Sequence, residues 1–212
     1  MIIPGRCPYR RGSGVVQKKG TDAVMPGFDP STLEFYRRNA RSYVGCRPDD
    51  PDPALMIFLD RLKPGAHILE LGCGGGRDAR YMRDRGFDLD ATDGAPEMVA
   101  QAAAFAGTEV RLLRFDELEA VQEYDAVVAN AALLHVPGSE LTGILARVWR
   151  ALRPGGWHFA SYKSGGVEER DEHGRYYNRP TSDVLTGRYA GVGHWSVLDC
   201  IESQGVGHFS AP

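Results

Sequence analysis

The chain has 212 residues, 42% of them hydrophobic and 25% charged, with a net charge of -3. These proportions suit a soluble globular domain with enough chain to bury a core, and 25 basic residues against 28 acidic ones argue against nucleic acid as a main partner. Cys7, Cys46, Cys73 and Cys200 show no C-x-x-C spacing, no run reaches membrane-spanning length, and the start lacks an apolar signal core, so a reduced, cytoplasmic protein with no membrane partner is expected.

Residues 1–25 mix Arg6, Arg10, Arg11, Lys18 and Lys19 with four glycines and carry little apolar periodicity, which predicts a mobile N-terminal arm. A single domain is expected over 26–212. It opens with a helix capped by Ser31 or Thr32 that carries Phe35, Tyr36, Asn39, Ala40 and Tyr43. A proline-rich break precedes a second helix that stops before Pro64-Gly65.

From there short apolar runs at 67–71, 87–92, 110–113, 126–130 and 157–162 read as buried strands. Helical segments at 77–85, 96–105 and 139–152 separate most of them, and 116–121 is a weaker helical stretch. Strands alternating with helices predict an α/β fold, a doubly wound and mostly parallel sheet with helices on both faces.

The first strand runs through Glu70 into Gly72-Cys73-Gly74-Gly75-Gly76 and then a helix. Glycines let the chain turn sharply and let a ligand approach main-chain atoms, while the helix start favours an anionic group. The dinucleotide fingerprint G-x-G-x-x-G would need glycine where Arg77 stands. Asp93 ends the second strand, where an acidic side chain can accept the hydroxyls of a ribose. The lesser alternative is a helix-capping or turn aspartate before Pro96.

The spacing of Glu70, Gly72, Gly74 and Gly76, E-x-G-x-G-x-G, resembles the first motif of class I (Rossmann-like) S-adenosylmethionine-dependent methyltransferases. Four more segments follow in that family's order, ending with Leu152-Arg153-Pro154-Gly155-Gly156, which is close to the L-[KR]-P-G-G turn before its fifth strand. The Gly76-Arg77-Asp78 string, Asp93-Gly94 with Pro96-Glu97-Met98, and Leu133-Leu134-His135-Val136-Pro137 resemble a bacterial small-molecule branch similar to the tellurite-resistance type.

The resemblance implies transfer of a methyl group from S-adenosyl-L-methionine to a small-molecule acceptor, with S-adenosyl-L-homocysteine as product. It places the cofactor against Glu70, Gly72, Cys73, Gly74, Gly76, Arg77, Asp78, Asp93, Gly94, Phe115, Asp116, Asn130 and Ala131. Tyr36 and Tyr43 would touch its methionine end or serve as packing aromatics, and Met98 would lie on the adenine ring or in the core.

His135 is the candidate general base, or a residue that fixes its loop through backbone hydrogen bonds. No metal is expected. The cofactor core spans about 54–163 and a mobile, glycine-rich acceptor lid about 163–190, where Lys163, Arg175 and Tyr176 could bind a polar or anionic acceptor.

The family's C-terminal antiparallel strand is expected to be missing or altered, which would leave the fifth strand with an open edge. The oligomeric state is left as monomer or homodimer. Two other functions stay open: a protein that holds the cofactor without turnover, and a nucleotide-dependent oxidoreductase.

Overall fold

The computed structural model describes residues 5–6, 27–45, 50–198 and 200–201. Most of the expected mobile arm therefore lies outside the described residues. The exception is Gly5–Arg6, which forms a short strand, β1.

Helix α1 (Pro30–Gly45) starts one turn earlier than either predicted cap allows. Asp29 is the capping residue, accepting from the Thr32 backbone N–H at 2.8 Å, and Pro30 takes the first helical position. Helix α2 (Pro53–Leu59) repeats the device, with Asp52 accepting from the Ala54 N–H at 2.8 Å.

The central run is β2 (His67–Leu71), α3 (Arg77–Asp84), β3 (Asp88–Asp93), α4 (Pro96–Ala106), β4 (Val110–Leu112), β5 (Tyr124–Ala129), α5 (Gly138–Ala151) and β6 (Leu152–Ala160). The predicted weak helix at 116–121 is a single 3-10 turn at Phe115–Glu117.

The sheet has the order β4-β3-β2-β5-β6-β1-β9, where β9 is Val197–Leu198. The first five strands are parallel. Their side chains alternate between two cores. Leu69, Leu71, Val127 and Ala129 pack with α5, whereas Ile68, Ala126 and Val128 pack with Leu55, Phe58 and Met82. A sheet covered on both faces explains why its strands read as apolar runs instead of alternating patterns.

The strand order reverses between β2 and β5. Beyond the carboxyl ends of those strands lies the crevice where open sheets of this type hold their ligands.

One expectation needs correction. The edge of β6 is not open: Gly5 and Arg6 pair antiparallel with His158 and Trp157, and β9 pairs with β1 on its far side. The altered C-terminal strand is thus replaced in the sheet by a segment from the other end of the chain.

The stretch 163–190, expected as a mobile loop, contains an antiparallel hairpin, β7 (Val167–Arg170) with β8 (Tyr176–Arg179). Helix α6 (Ser182–Val192) follows, capped by the Thr181 hydroxyl. Before the helix, Gly165, Gly166 and Gly174 all have positive φ.

Candidate functional site

The β2–α3 turn is the floor of the site. Gly72, Gly74 and Gly76 adopt φ values of 72°, 57° and 82°, a region that L side chains rarely enter. At Gly72 a Cβ would stand 2.8 Å from the Ala132 Cβ. At Gly76 it would stand 2.8 Å from the Ala102 carbonyl oxygen on α4, so this glycine packs helix against helix. The Cys73 N–H donates to the Thr92 carbonyl at 2.8 Å, which ties the turn to β3.

Asp93, at the end of β3, is held from both sides. Its carboxylate accepts from the Gly74 N–H at 3.0 Å and the Ala95 N–H at 2.9 Å. Burial pushes its pKa up to about 6, against the pull of those N–H groups.

Glu70, one strand over, is 2% exposed, and its Oε2 has no hydrogen-bond partner among the described residues. Burial, with the nearby charges of Asp78 and Asp93, holds its pKa well above the usual carboxylate range. Asp78 is better satisfied. It pairs with the Arg77 guanidinium at 2.8 Å and accepts from the Asn130 amide at 2.8 Å.

Asn130 is fixed in turn by Ser161, whose hydroxyl donates to its Oδ1 at 2.6 Å and accepts from the Ala131 N–H at 2.7 Å. Ala131 sits at φ 51°, a strained position for alanine at the rim of the site.

Above this floor lies His135, on a 3-10 turn whose Leu133 and Leu134 are buried. Its Nδ1 is 2.7 Å from the Tyr176 carbonyl oxygen and its Nε2 is 2.9 Å from the Tyr36 hydroxyl. A carbonyl only accepts, so Nδ1 carries the hydrogen, and Nε2 accepts from Tyr36. Burial lowers the His135 pKa to about 4, so the ring is neutral at pH 7.

A cavity of about 1090 Å³, counting the part open to solvent, joins these groups. Of the residues expected from sequence, Glu70, Gly72, Cys73, Gly74, Arg77 and Asp78 line it from the first turn. Asp93, Gly94, Met98 and Phe115 line it from the next two strand ends, and Asn130, Ala131 and His135 from the loop after β5. Tyr36 and Tyr43 close it from α1.

Five expected residues lie off its wall. Gly76 faces α4, as above. Asp116 turns to the Arg114 guanidinium, 3.1 Å away. Lys163 stacks over the Tyr177 ring at 4.3 Å. Arg175 is buried behind α1, over the Phe35 ring at 4.7 Å and paired with Asp171 at 2.6 Å. The Tyr176 hydroxyl turns outward to Glu168, and only its backbone meets the site.

The sequence reading missed Phe28, Asp29, Thr32 and Leu33 at the start of α1, and Arg114, whose guanidinium lies 4.7 Å from the Phe28 ring centroid. No local pattern marks those positions as ligand-facing.

Residues 68–156 match the family model described as "Methyltransferase domain". The chain is 38% identical over 155 residues to a ubiquinone biosynthesis O-methyltransferase of Xanthomonas axonopodis pv. citri, covering 66% of this chain and 64% of that protein. It is 38% identical over 122 residues to a trans-aconitate 2-methyltransferase of Mycobacterium tuberculosis, covering 51% of this chain and 46% of that one. The chain thus spans between about half and two thirds of these curated relatives. Among solved structures, a DhpI–SAH complex superposes with a TM-score of 0.61 at 26% identity, over 80% of this chain and 89% of that one.

Proposed function

We propose that this chain, which carries a class I, Rossmann-like S-adenosylmethionine-dependent methyltransferase domain, transfers a methyl group from S-adenosylmethionine to a small-molecule acceptor. The observation that carries the reading is the pair of carboxyl groups, Glu70 buried and Asp93 half-buried, that flank the glycine turn at adjacent strand ends.

The residues fit that cofactor. A buried carboxyl oxygen without a partner, such as Glu70 Oε2, is costly unless a ligand supplies a donor, and the cofactor's ammonium group is one. Asp93 can accept from ribose hydroxyls, and Met98 and Phe115 offer apolar faces to a purine. Arg77 stands over the same turn and can meet a carboxylate.

When bound, S-adenosylmethionine supplies an already activated methyl group, so the chain's task is largely to hold and orient. Tyr36 and His135 supply the remaining chemistry. An acceptor hydroxyl or amine placed at the Tyr36 oxygen can pass its proton there as Tyr36 passes its own to His135 Nε2. The imidazolium so formed keeps its Nδ1–H on the Tyr176 carbonyl.

The relatives' names, for a trans-aconitate and a ubiquinone-biosynthesis enzyme, favour an oxygen acceptor on a small acidic or phenolic molecule. A cytoplasmic location and no nucleic-acid partner belong to the same reading, supported by the near-neutral charge. Among the described residues no helix is long and apolar enough to cross a membrane.

The test is incubation of the protein with methyl-labelled S-adenosylmethionine and a panel of small carboxylic and phenolic acids, read by mass spectrometry. Label transferred to one class of acid supports the reading. Binding of the cofactor with no transfer to any of them favours a holding protein.

A further inference from the structure

We propose that the β7–β8 hairpin is a lid whose docking on α1 sets the tautomer of His135, so that Nε2 is free to accept a proton in every molecule only when the hairpin is docked. This deepens the methyl-transfer reading and rests on it for its meaning, although its central observation is independent of any cofactor.

The inference begins with one rung of the hairpin. Arg170 and Tyr176 face each other across β7 and β8. Arg170 reaches Asp29 at the start of α1 with a two-pronged contact, Nη1 to Oδ1 at 3.0 Å and Nη2 to Oδ2 at 2.7 Å. Paired forks of this kind are strong and directional.

Tyr176 uses both polar groups of its backbone. Its N–H donates to the Thr32 hydroxyl at 2.7 Å, and its carbonyl accepts from His135 Nδ1 at 2.7 Å. Thr32 closes the circuit by donating to Asp29 Oδ1 at 2.8 Å. Asp29, Thr32 and His135 all line the cavity. A single rung therefore ties the hairpin to both walls of the site.

His135 needs the hairpin for its ring and not for its backbone. The turn that carries it is anchored by buried Leu133 and Leu134 and closed by its own Ala132 carbonyl at 3.1 Å. Among the described residues, the hydrogen-bond partner of Nδ1 is the Tyr176 carbonyl.

Which nitrogen of a neutral imidazole holds the hydrogen is decided by the bond the other makes. With the hairpin displaced, Nδ1 has no carbonyl, both tautomers become accessible, and Nε2 carries the hydrogen in part of the molecules. In those molecules Nε2 cannot accept from Tyr36. Docking of the hairpin thus holds the whole population of His135 in its accepting form.

The charged groups around the ring are Arg175 and Lys163, which both disfavour its cation, and Asp171, which favours it. Arg175 and Asp171 are paired to each other within the hairpin at 2.6 Å, so the lid carries two of the three charges that act on His135.

The experiment uses ¹⁵N-histidine-labelled full chain and nitrogen–proton correlation spectra of the His135 ring, in wild type, Arg170→Ala, Arg170→Lys and Thr32→Val. Arg170 is half exposed, and thermal melting verifies that each variant is folded. Wild type and Arg170→Lys should show the Nδ1–H form alone. Arg170→Ala and Thr32→Val should show a mixture, with the Nε2–H form on the order of a tenth or more, as for a minor state a few RT above the major one.

A pure Nδ1–H form in both Arg170→Ala and Thr32→Val would overturn the coupling. Should Arg170→Ala fail to fold, Thr32→Val decides alone. A parallel titration with S-adenosylhomocysteine separates the two claims: no binding to wild type sinks the cofactor reading, while the tautomer spectra still decide the lid.

Discussion

The Tyr36 hydroxyl stands 2.9 Å from His135 Nε2 across 99 residues of sequence, and the carbonyl on the other side of the ring fixes the direction of that bond. Tyr36 belongs to the first ordered helix, and His135 to the loop after the fourth parallel strand. Their meeting over the glycine turn turns a cofactor-binding fold into a site with a place for a proton.

Removing either partner should slow turnover more than it weakens cofactor binding. His135→Gln and Tyr36→Phe are each expected to lower kcat by about a hundredfold, the lower end of what a positioned acid or base contributes. The cofactor affinity, read by calorimetry, should change by less than about threefold in His135→Gln, which would leave the carboxyl pair and the glycine turn untouched. A kcat unchanged in both variants would reduce the pair to a packing contact.

Cofactor affinity should depend on pH through Asp93. Its carboxyl titrates at about 6 in the free protein, so below that pH it is protonated and accepts only weakly from ribose hydroxyls. Affinity is expected to rise as pH goes from about 5 to 7 and then to level off. In Asp93→Asn the curve should be low and its slope smaller than in wild type, the remainder coming from Glu70, whose burial also raises its carboxyl pKa. A wild-type affinity with no slope there would show that Asp93 does not meet the ligand.

The fold itself holds a second neutral histidine. His158 is fully buried, its Nδ1 donating to the Val127 carbonyl at 2.8 Å and its Nε2 accepting from the Tyr189 hydroxyl at 2.9 Å. Burial lowers its pKa from 6.5 to about 4. The unfolded chain binds this proton more readily than the folded one between those values, so stability is full above pH 6.5 and falls as pH drops toward 4.

The fall from 6.5 to about 4 corresponds to about 3 kcal/mol. The stability gap between wild type and His158→Phe, from urea unfolding, should therefore shrink between pH 7 and pH 4.5. A gap independent of pH would mean that the folded state accepts the proton at no cost.

Gly76 offers a test of packing apart from binding. A side chain there meets the Ala102 carbonyl at 2.8 Å and a φ of 82°. Gly76→Ala should cost about 1–3 kcal/mol of stability, as residues forced into sparsely populated backbone regions do. The urea midpoint should fall without a change in slope. Gly86, also at positive φ but with nothing within 4 Å of its added Cβ, should lose less.

Much of this was legible where the relevant forces are local. The strand Ile68 to Leu71, the glycines at 72, 74 and 76, and the helix after them are neighbours in sequence, so one pattern reports all three. The same holds for Asp93 and Pro96.

Contacts between distant segments left no such trace. Asp29 and Arg170 are 141 residues apart, and only the hairpin register brings Arg170 opposite Tyr176. Arg175 reads as a cation for an acceptor, yet its guanidinium lies over the Phe35 ring and is paired with Asp171. The dipeptide strand Gly5–Arg6 is too short to carry a periodicity, so the edge it covers looked open.

The most direct test of the central claim is a calorimetric titration of the protein with S-adenosylmethionine, alongside Asp93→Ala and Gly74→Val and with NADH as control. Micromolar binding to wild type, lost in both variants and absent with NADH, is the predicted result. No binding of S-adenosylmethionine, or a preference for NADH, would contradict it.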